Sequence, residues 1–579
     1  MTQFDPITLE IIWSRLLTIT EEMWTTTLRT AVSTIIGVAN DFSCEILDAD
    51  GRSVTHAYRS MPVFNMVMPN VVKHLLKKFS RERMQPGDIF MTNDPWLCAG
   101  HTPDIAVVTP IFSAGHVLGF VGNIANTSDI GGALDLRKVR DSYEEGLLFP
   151  LCYLYRAGEP NQLVFELFEK NVRIPEMVLA DIEAQVSSNE VGVQRLLALL
   201  AEYGMDNLTD ISHEVRGRSE HAMRRAIGEL PDGVYRQEVY TDGLGTPLKL
   251  AVTITIRGDH IHVDYTGTAP QVERGGLNCT LPYTTGHTLF PLKCLLTPTV
   301  PSNEGYFAAI SLYAPEGSIL NCKFPASVGL RVNTGWYLHE LIFSALAGVL
   351  PERVQAGNGL MSSLRAYGVN AVGRPYNAHL FAGGGRGAGG GRDGLSANMF
   401  PSSAANVPAE VFELNAPVLV TEKELMPESA GAGKLRGWPG QRLSLAKLPT
   451  HPLPVSVYFH PARLYTPAKG LFGGHEAPAS RLIFHDEVIT DDPAAFTEGT
   501  VTLEKDTDLL TYEISGGAGM GDPRQRAREF VQQDLRDGLV SPEQAEKLYG
   551  WNESGHDRPH LPPVDAISHA PLHTRTSQG

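Results

Sequence analysis

The chain has 579 residues with 48 Lys plus Arg against 65 Asp plus Glu, a formal charge of −17 with His neutral. So acidic a chain, without a run of Lys or Arg, lacks the basic face that counterion-release binding needs, which argues against nucleic acid as its main ligand. Its 42% hydrophobic residues are enough to bury real cores, which excludes a disordered chain, and a soft scale of about 150 residues per domain predicts three or four lobes.

From Pro6 to Ala31 apolar residues recur at helical spacing (Ile7, Ile11, Ile12, Leu16, Ile19, Met23, Leu28), predicting a long amphipathic helix with Pro6 in its first turn. Phe42 to Leu47 reads as a strand running into a turn at Asp48, Asp50 and Gly51, with Arg52 to Tyr58 as its return. A second helix is expected over Val63 to Lys78. Asp88 to Thr92 is a short strand that stops at Asn93-Asp94-Pro95, and Ile105 to Phe112 with Val117 to Ile124 form two more strands. Residues Asn161 to Gly204 are helical in pattern, whereas Val234 to Asp264 alternates with the period of half-buried antiparallel strands.

A boundary near residue 230 follows. Glycine, 56 of 579 residues against a usual ~7%, concentrates beyond residue 300 at 383–394, 431–440 and 516–522, where long glycine loops mark close backbone packing or approach to a ligand. Asp522 to Gly550 reads as helical and the final Pro- and His-rich residues as a frayed tail. The reading is a mixed α/β (α+β), multi-lobed protein. It has an N-terminal strand-and-helix lobe over residues 1–230, a β-rich region with glycine-rich loops over 231–525, and a C-terminal helix and tail over 526–579.

The six cysteines are scattered, without a C-x-x-C pair, so free thiols are expected rather than a zinc ribbon or disulfide cluster. The chain opens without a basic leader and holds no apolar run of the ~20 residues that span a bilayer, so a soluble, cytoplasmic protein is expected. Neither G-x-x-x-x-G-K-[ST], H-E-x-x-H, G-x-S-x-G nor a strand-to-helix G-x-G-x-x-G occurs, and Leu435 follows Gly433-Lys434 where a P-loop needs a hydroxyl. Nucleotide hydrolysis by this chain alone is therefore not expected.

The densest polar cluster runs from Asn93-Asp94-Pro95-Trp96 through Gly100-His101-Thr102-Pro103-Asp104, with Asn123, Asn126 and Asp129-Ile130-Gly131-Gly132 about twenty-five residues later. A strand–loop–strand path brings these to one end of a sheet. His101 and Asp104 pair a neutral imidazole with a hard carboxylate, which suits a divalent ion once a third ligand joins and otherwise leaves turn-capping residues. Arg140, Asp141, Glu144 and Glu145 read as a solvated charged face. Arg386 and Arg392 in the 383–394 stretch either frame an anion nest or serve packing, and His287 is expected as a structural, hydrogen-bonded histidine.

These segments resemble the hydantoinase B family, which includes the B part of 5-oxoprolinase, the B component of N-methylhydantoinase and the alpha subunit of acetone carboxylase. The resemblance is carried by Asp41-Phe42-Ser43-Cys44, Thr92-Asn93-Asp94-Pro95, Gly100-His101-Thr102-Pro103-Asp104, Ser128-Asp129-Ile130-Gly131-Gly132 and Glu144-Glu145-Gly146. Further on it is carried by Pro301-Ser302-Asn303-Glu304-Gly305, Ala314-Pro315-Glu316-Gly317-Ser318, the 383–394 stretch, Ser429-Ala430-Gly431-Ala432-Gly433 and Gly517-Ala518-Gly519-Met520-Gly521-Asp522-Pro523.

The resemblance implies a B-type component working beside an A-type, actin-like ATPase subunit that uses ATP to activate a substrate oxygen, so ATP is bound by the partner. The expected reaction is hydrolysis of a cyclic amide such as a hydantoin, 5-oxoproline or related lactam; a component of a ketone carboxylase and a non-catalytic scaffold are the alternatives. The metal-containing relatives further imply a histidine and aspartate at His101 and Asp104 plus a second histidine, and that position here is Asn126. Three outcomes stay open: a zinc or manganese ion held by His101 and Asp104 with Asp94, Asp41 or Asp129; a metal-free site with His101 as general base, oriented by Asp104, and Asp41 as second choice; or a changed substrate. Asn93, Asn126 and Arg386 are the expected substrate contacts.

Overall fold

The computed structural model describes residues 5–65, 67–493, 496 and 499–552. The first helix, Pro6–Thr30, starts where the Asp5 carboxylate accepts the backbone N–H groups of Ile7 and Thr8, so Pro6 enters without losing a bond the helix needs. Its buried face is the expected one along the middle of the helix and departs from it at Ile7 and Ile11. Leu9, Ile12, Leu16, Ile19 and Met23 are buried, while Ile7 and Ile11 are exposed, because the helix packs on both the long helix Pro175–Glu202 and the sheet beneath.

That sheet has seven antiparallel strands: β1 (Phe42–Asp48), β2 (Ser53–His56), β3 (Ile89–Thr92), β4 (Asp104–Ser113), β5 (His116–Asn126), β6 (Cys152–Arg156) and β7 (Glu159–Pro160), in the order β2-β1-β5-β4-β3-β6-β7. Phe42, Cys44 and Ile46 of β1 face the helices, whereas Leu47 with Phe120 and Ile124 of β5 face the main core. Both faces are covered, so β1 is buried along its whole length. The helix expected over Val63 to Lys78 is two pieces, Pro62–Asn65 and Met68–Lys78.

The alternating stretch after residue 230 forms three strands of a four-stranded sheet with Ile310–Tyr313. A second four-stranded sheet runs in the order Pro375–Gly383, Met361–Val369, Val455–His460, Thr500–Leu503, and a five-stranded sheet lies within residues 418–513. The protein is thus a mixed α and β structure of several sheets. Its largest apolar cluster runs from Ile35 to Met520, so the core is continuous across residue 230.

The 383–394 glycines pack backbone on backbone. The N–H groups of Gly384, Gly385 and Ala388 donate to the carbonyls of Leu360, Ser515 and Ala518, and a Cβ on Gly385 would fall 1.8 Å from the Trp438 carbonyl oxygen. Those N–H groups are therefore not free to form an anion nest. The C-terminal helical stretch is two short helices, Arg528–Arg536 and Pro542–Tyr549, and the expected frayed tail from residue 553 on lies outside the described residues. None of the six cysteines is joined to another. Among the described residues no helix is long and apolar enough to cross a membrane.

Candidate functional site

Strand register builds the site. Phe42 of β1 pairs with Ala125 of β5, and just beyond that pair the Asn126 N–H donates to the Asp41 carbonyl over 3.1 Å. On the other side of β5, Asn126 pairs with Asp104 at the start of β4. Residues 41, 126 and 104 therefore sit side by side at one end of the sheet. The Asn126 side-chain amide donates to Oδ2 of Asp41 over 3.2 Å.

The turn before β4 aims His101 at the same place. Gly100 has φ +90, and a Cβ there would lie 2.8 Å from the Tyr283 Cβ and 2.9 Å from the Arg331 Cδ, so only glycine fits this close approach. His101 Nε2 lies 2.8 Å from Oδ1 of Asp104. Arg331 donates from Nη2 to Oδ2 of Asp104 over 2.5 Å and from Nε to the Ala99 carbonyl over 2.7 Å, while its guanidinium lies 4.4 Å from the Tyr283 ring centroid. Asp104 is thus a buried carboxylate with a partner on each oxygen. The Glu145 Oε1 accepts the N–H groups of Val328 and Gly329, both at 2.7 Å.

Asp41, His101, Asn126, Glu145 and Arg331 line one cavity of about 150 Å³, a volume that in an apolar core accepts a single six-membered ring. Two of its carboxyls are tuned toward neutrality. Burial, and then the Asp104 charge, push Asp41 up to about 7 against the pull of Arg331 and Asn126. Burial carries Glu145 up to about 7, opposed by its two backbone donors and by Arg331. His101 is held below its usual value by burial and by the Arg331 charge, with Asp104 acting the other way. At neutral pH the site thus offers a neutral imidazole and an acid able both to take and to return a proton.

Of the expected residues, His101, Asp104, Asp41 and Asn126 come together. Asn93 does not reach the substrate space: its amide nitrogen donates to the carbonyls of Thr102 and Leu147 and its oxygen accepts the Phe149 N–H, so it ties the loop together. Asp94 caps the Trp96 N–H and is not among the cavity-lining residues. Asp129 lines the cavity but its Oδ1 is held by Arg173 at 2.7 Å. Arg386 donates to Gln355 over 2.5 Å, sits 5.6 Å from the Phe400 ring centroid and lies outside the cavity lining.

The charged run after Gly131-Gly132 is only partly a solvated face. Arg140 and Glu144 pair at the surface, whereas Glu145 is buried beneath them. His287 is buried, yet both ring nitrogens lack a hydrogen-bond partner and the ring packs edge-on to Tyr283.

Arg331 and Glu145 were not foreseen as site residues. A lone arginine between Leu330 and Val332 is the only local sign of the first, and what gives it meaning is a contact 227 residues away.

The donor set does not fit a resident zinc or manganese ion. Position 126 offers an amide, one oxygen of Asp104 is occupied by a guanidinium, and Asp129 is neutralised by Arg173. Among the described residues no three His, Cys, Asp or Glu side chains converge as a ligand set. A cation placed here would also meet the Arg331 charge.

A family model described as hydantoinase B/oxoprolinase matches residues 5–523. The chain is 29% identical to the B component of a putative D-/L-hydantoinase of Pseudomonas sp. (strain NS671), covering 95% of both chains. It is 27% identical to the beta component of the caprolactamase of Pseudomonas jessenii, over 95% of this chain and 96% of that one. The crystal structure of the ATP-dependent caprolactamase from Pseudomonas jessenii superposes with a TM-score of 0.82 at 25% identity, covering 96% of this chain and 98% of that one. A nucleotide-free acetone carboxylase structure has the same fold, with a TM-score of 0.82 at 19% identity over 94% of this chain and 79% of that one.

Proposed function

The chain belongs to the hydantoinase B/oxoprolinase family, and from that premise we propose that it is the B-type component of an ATP-dependent cyclic-amide hydrolase. An A-type ATPase partner would bind ATP and activate the carbonyl oxygen of a hydantoin, 5-oxoproline or related lactam, and this chain would complete ring opening. The hydantoinase and caprolactamase relatives, each named as one component of a larger enzyme, support a two-component arrangement. The observation that carries the reading is the ring-sized cavity in which Asp41, with a carboxyl brought up to about 7, lies beside His101 and Asp104.

The chemistry follows from that carboxyl. With the carbonyl oxygen phosphorylated from ATP, water adds to the ring carbon as Asp41 takes its proton. The protonated Asp41 returns that proton to the ring nitrogen as the C–N bond breaks, and a second water cleaves the resulting acyl phosphate to carboxylate and inorganic phosphate. A group that titrates near working pH serves both directions. Asn126 orients Asp41 through its amide, and the Arg331–Asp104–His101 chain fixes the imidazole in the cavity wall beside the substrate space. No step is assigned to a metal.

Co-purifying the chain with its A-type partner and supplying ATP and a panel of lactams without bicarbonate tests the reading. Ring-opened product together with phosphate supports it. A strict bicarbonate requirement would replace it with the carboxylase reading, and a complex active with this cavity blocked would leave the chain a scaffold.

A further inference from the structure

One wall of the cavity is a face of the sheet built from Pro375–Gly383, Met361–Val369 and Val455–His460. Register sets six side chains on it in two rows. Ser363 pairs with Phe381 on one side and His460 on the other, and Arg365 pairs with His379 and Tyr458. Because residues two apart on a strand share a face, all six project the same way, and all six line the cavity.

This face carries polar atoms left without partners. Nε of Arg365 and Nε2 of His460 make no hydrogen bond, and Oη of Tyr458, a residue 4% exposed, has no partner beyond a weak approach of the Leu136 backbone. The remaining contacts hold these groups in place: Arg365 donates to the Leu134 carbonyl and lies 5.1 Å from the Tyr458 ring centroid, and His460 Nδ1 lies 3.3 Å from the Ser363 hydroxyl. Buried donors that nothing in the chain satisfies cost about 1–3 kcal/mol each unless a ligand or water completes them. Burial first, and then positively charged neighbours that include Arg331, Arg365 and Arg137, disfavour protonation of His460, so cationic side chains stand close to this face. The nearby carboxylate of Asp129 is already paired with Arg173.

We infer that this sheet face is an oxyanion subsite: Arg365, Tyr458 and His460 hold a negatively charged oxygen group of the substrate, either a ring carboxylate or a phosphoryl group, in the same cavity as Asp41 and His101. The inference rests on the cyclic-amide reading of the cavity and adds the class of ligand and the residues that select it. A guanidinium held by its Nη2 and a neighbouring ring presents its free Nε–H without having to be ordered, which suits recognition of a planar or tetrahedral oxyanion.

Calorimetric titration of the full chain with three probes tests it: inorganic phosphate, 5-oxoproline, and 2-pyrrolidone, which has the same ring without the carboxylate. The expected result is that at least one anionic probe binds about tenfold or more tightly than 2-pyrrolidone, that Arg365→Met removes this preference, and that Tyr458→Phe, which deletes only the hydroxyl, reduces it about threefold. Preference for phosphate identifies the phosphoryl group as the oxyanion, and preference for 5-oxoproline identifies the carboxylate. Equal binding of all three probes by the wild type overturns the inference, as does unchanged anion preference in folded Arg365→Met; should that variant not fold, an unchanged Tyr458→Phe has the same force. Lactam turnover by the two-component complex, measured on the same preparations, separates the two ideas. Anion preference without turnover sinks the hydrolase reading alone, and turnover without anion preference sinks the subsite alone.

Discussion

Arg331 donates to the Asp104 carboxylate over 2.5 Å although the two residues stand 227 positions apart. The bond joins the residue that caps the short helix Val332–Gly335 to the first residue of β4, and both side chains are almost fully buried, at 3% and 0% exposure. With His101 on the other carboxylate oxygen, this chain of three groups fixes one wall of the cavity.

Removing one member of a buried ion pair leaves the other charged in a place that cannot solvate it. Arg331→Met is therefore expected to destabilise the protein by about 3–5 kcal/mol and to lower turnover of the complex, both readable from a denaturant titration and an assay. Arg331→Lys keeps the charge but loses the two-pronged grip on Asp104 and Ala99, and an intermediate loss is expected.

The pH dependence of ring opening follows from Asp41. Its carboxyl lies at about 7 and acts as a base when ionised, so kcat should rise as pH increases through about 7 and then level. The Asn126 amide bond favours the ionised form. Asn126→Ala should therefore move the midpoint to higher pH, and a midpoint that moves down or stays fixed contradicts the assignment.

Elemental analysis of carefully purified protein addresses the metal directly. With an amide at position 126 and a guanidinium on Asp104, zinc or manganese is expected well below one ion per chain. Asn126→His should raise the affinity for either ion. A stoichiometric ion in the unaltered chain would overturn the metal-free account.

Acid stability has its own signature. Burial and the Arg365 charge hold His379 down to about 3 from an ordinary 6.5. The unfolded chain thus binds a proton at this residue that the folded chain does not, and stability is lost as pH falls below 6.5 toward about 3. His379→Gln removes that titration. Relative to the wild type, its melting temperature should improve progressively over the same window, whereas a pH-independent difference would show that His379 does not titrate as described.

Much of this was legible in the sequence because it is local. The strand ends at Asp41, Asp104 and Asn126 are bounded by turn residues, and antiparallel hairpins with short connections bring such ends together. The H-x-x-D spacing likewise set His101 beside Asp104. What could not be read was long-range: Arg331, the burial of Glu145 under the exposed Arg140–Glu144 pair, and the sheet face of Arg365, Tyr458 and His460, each placed by a pairing that spans tens to hundreds of residues. Asn93 misled for the same reason, since only tertiary contacts show that its amide is spent on the backbone.

The most direct test is Asp41→Asn in the co-purified two-component complex, followed by the rate of ring-opened product from the lactam that the wild-type complex hydrolyses. The variant keeps the shape of the side chain and removes a buried carboxyl that is costly to ionise, so its melting temperature should be unchanged or higher. The account predicts a fall in product formation of about 100-fold or more, and turnover within twofold of wild type would contradict it.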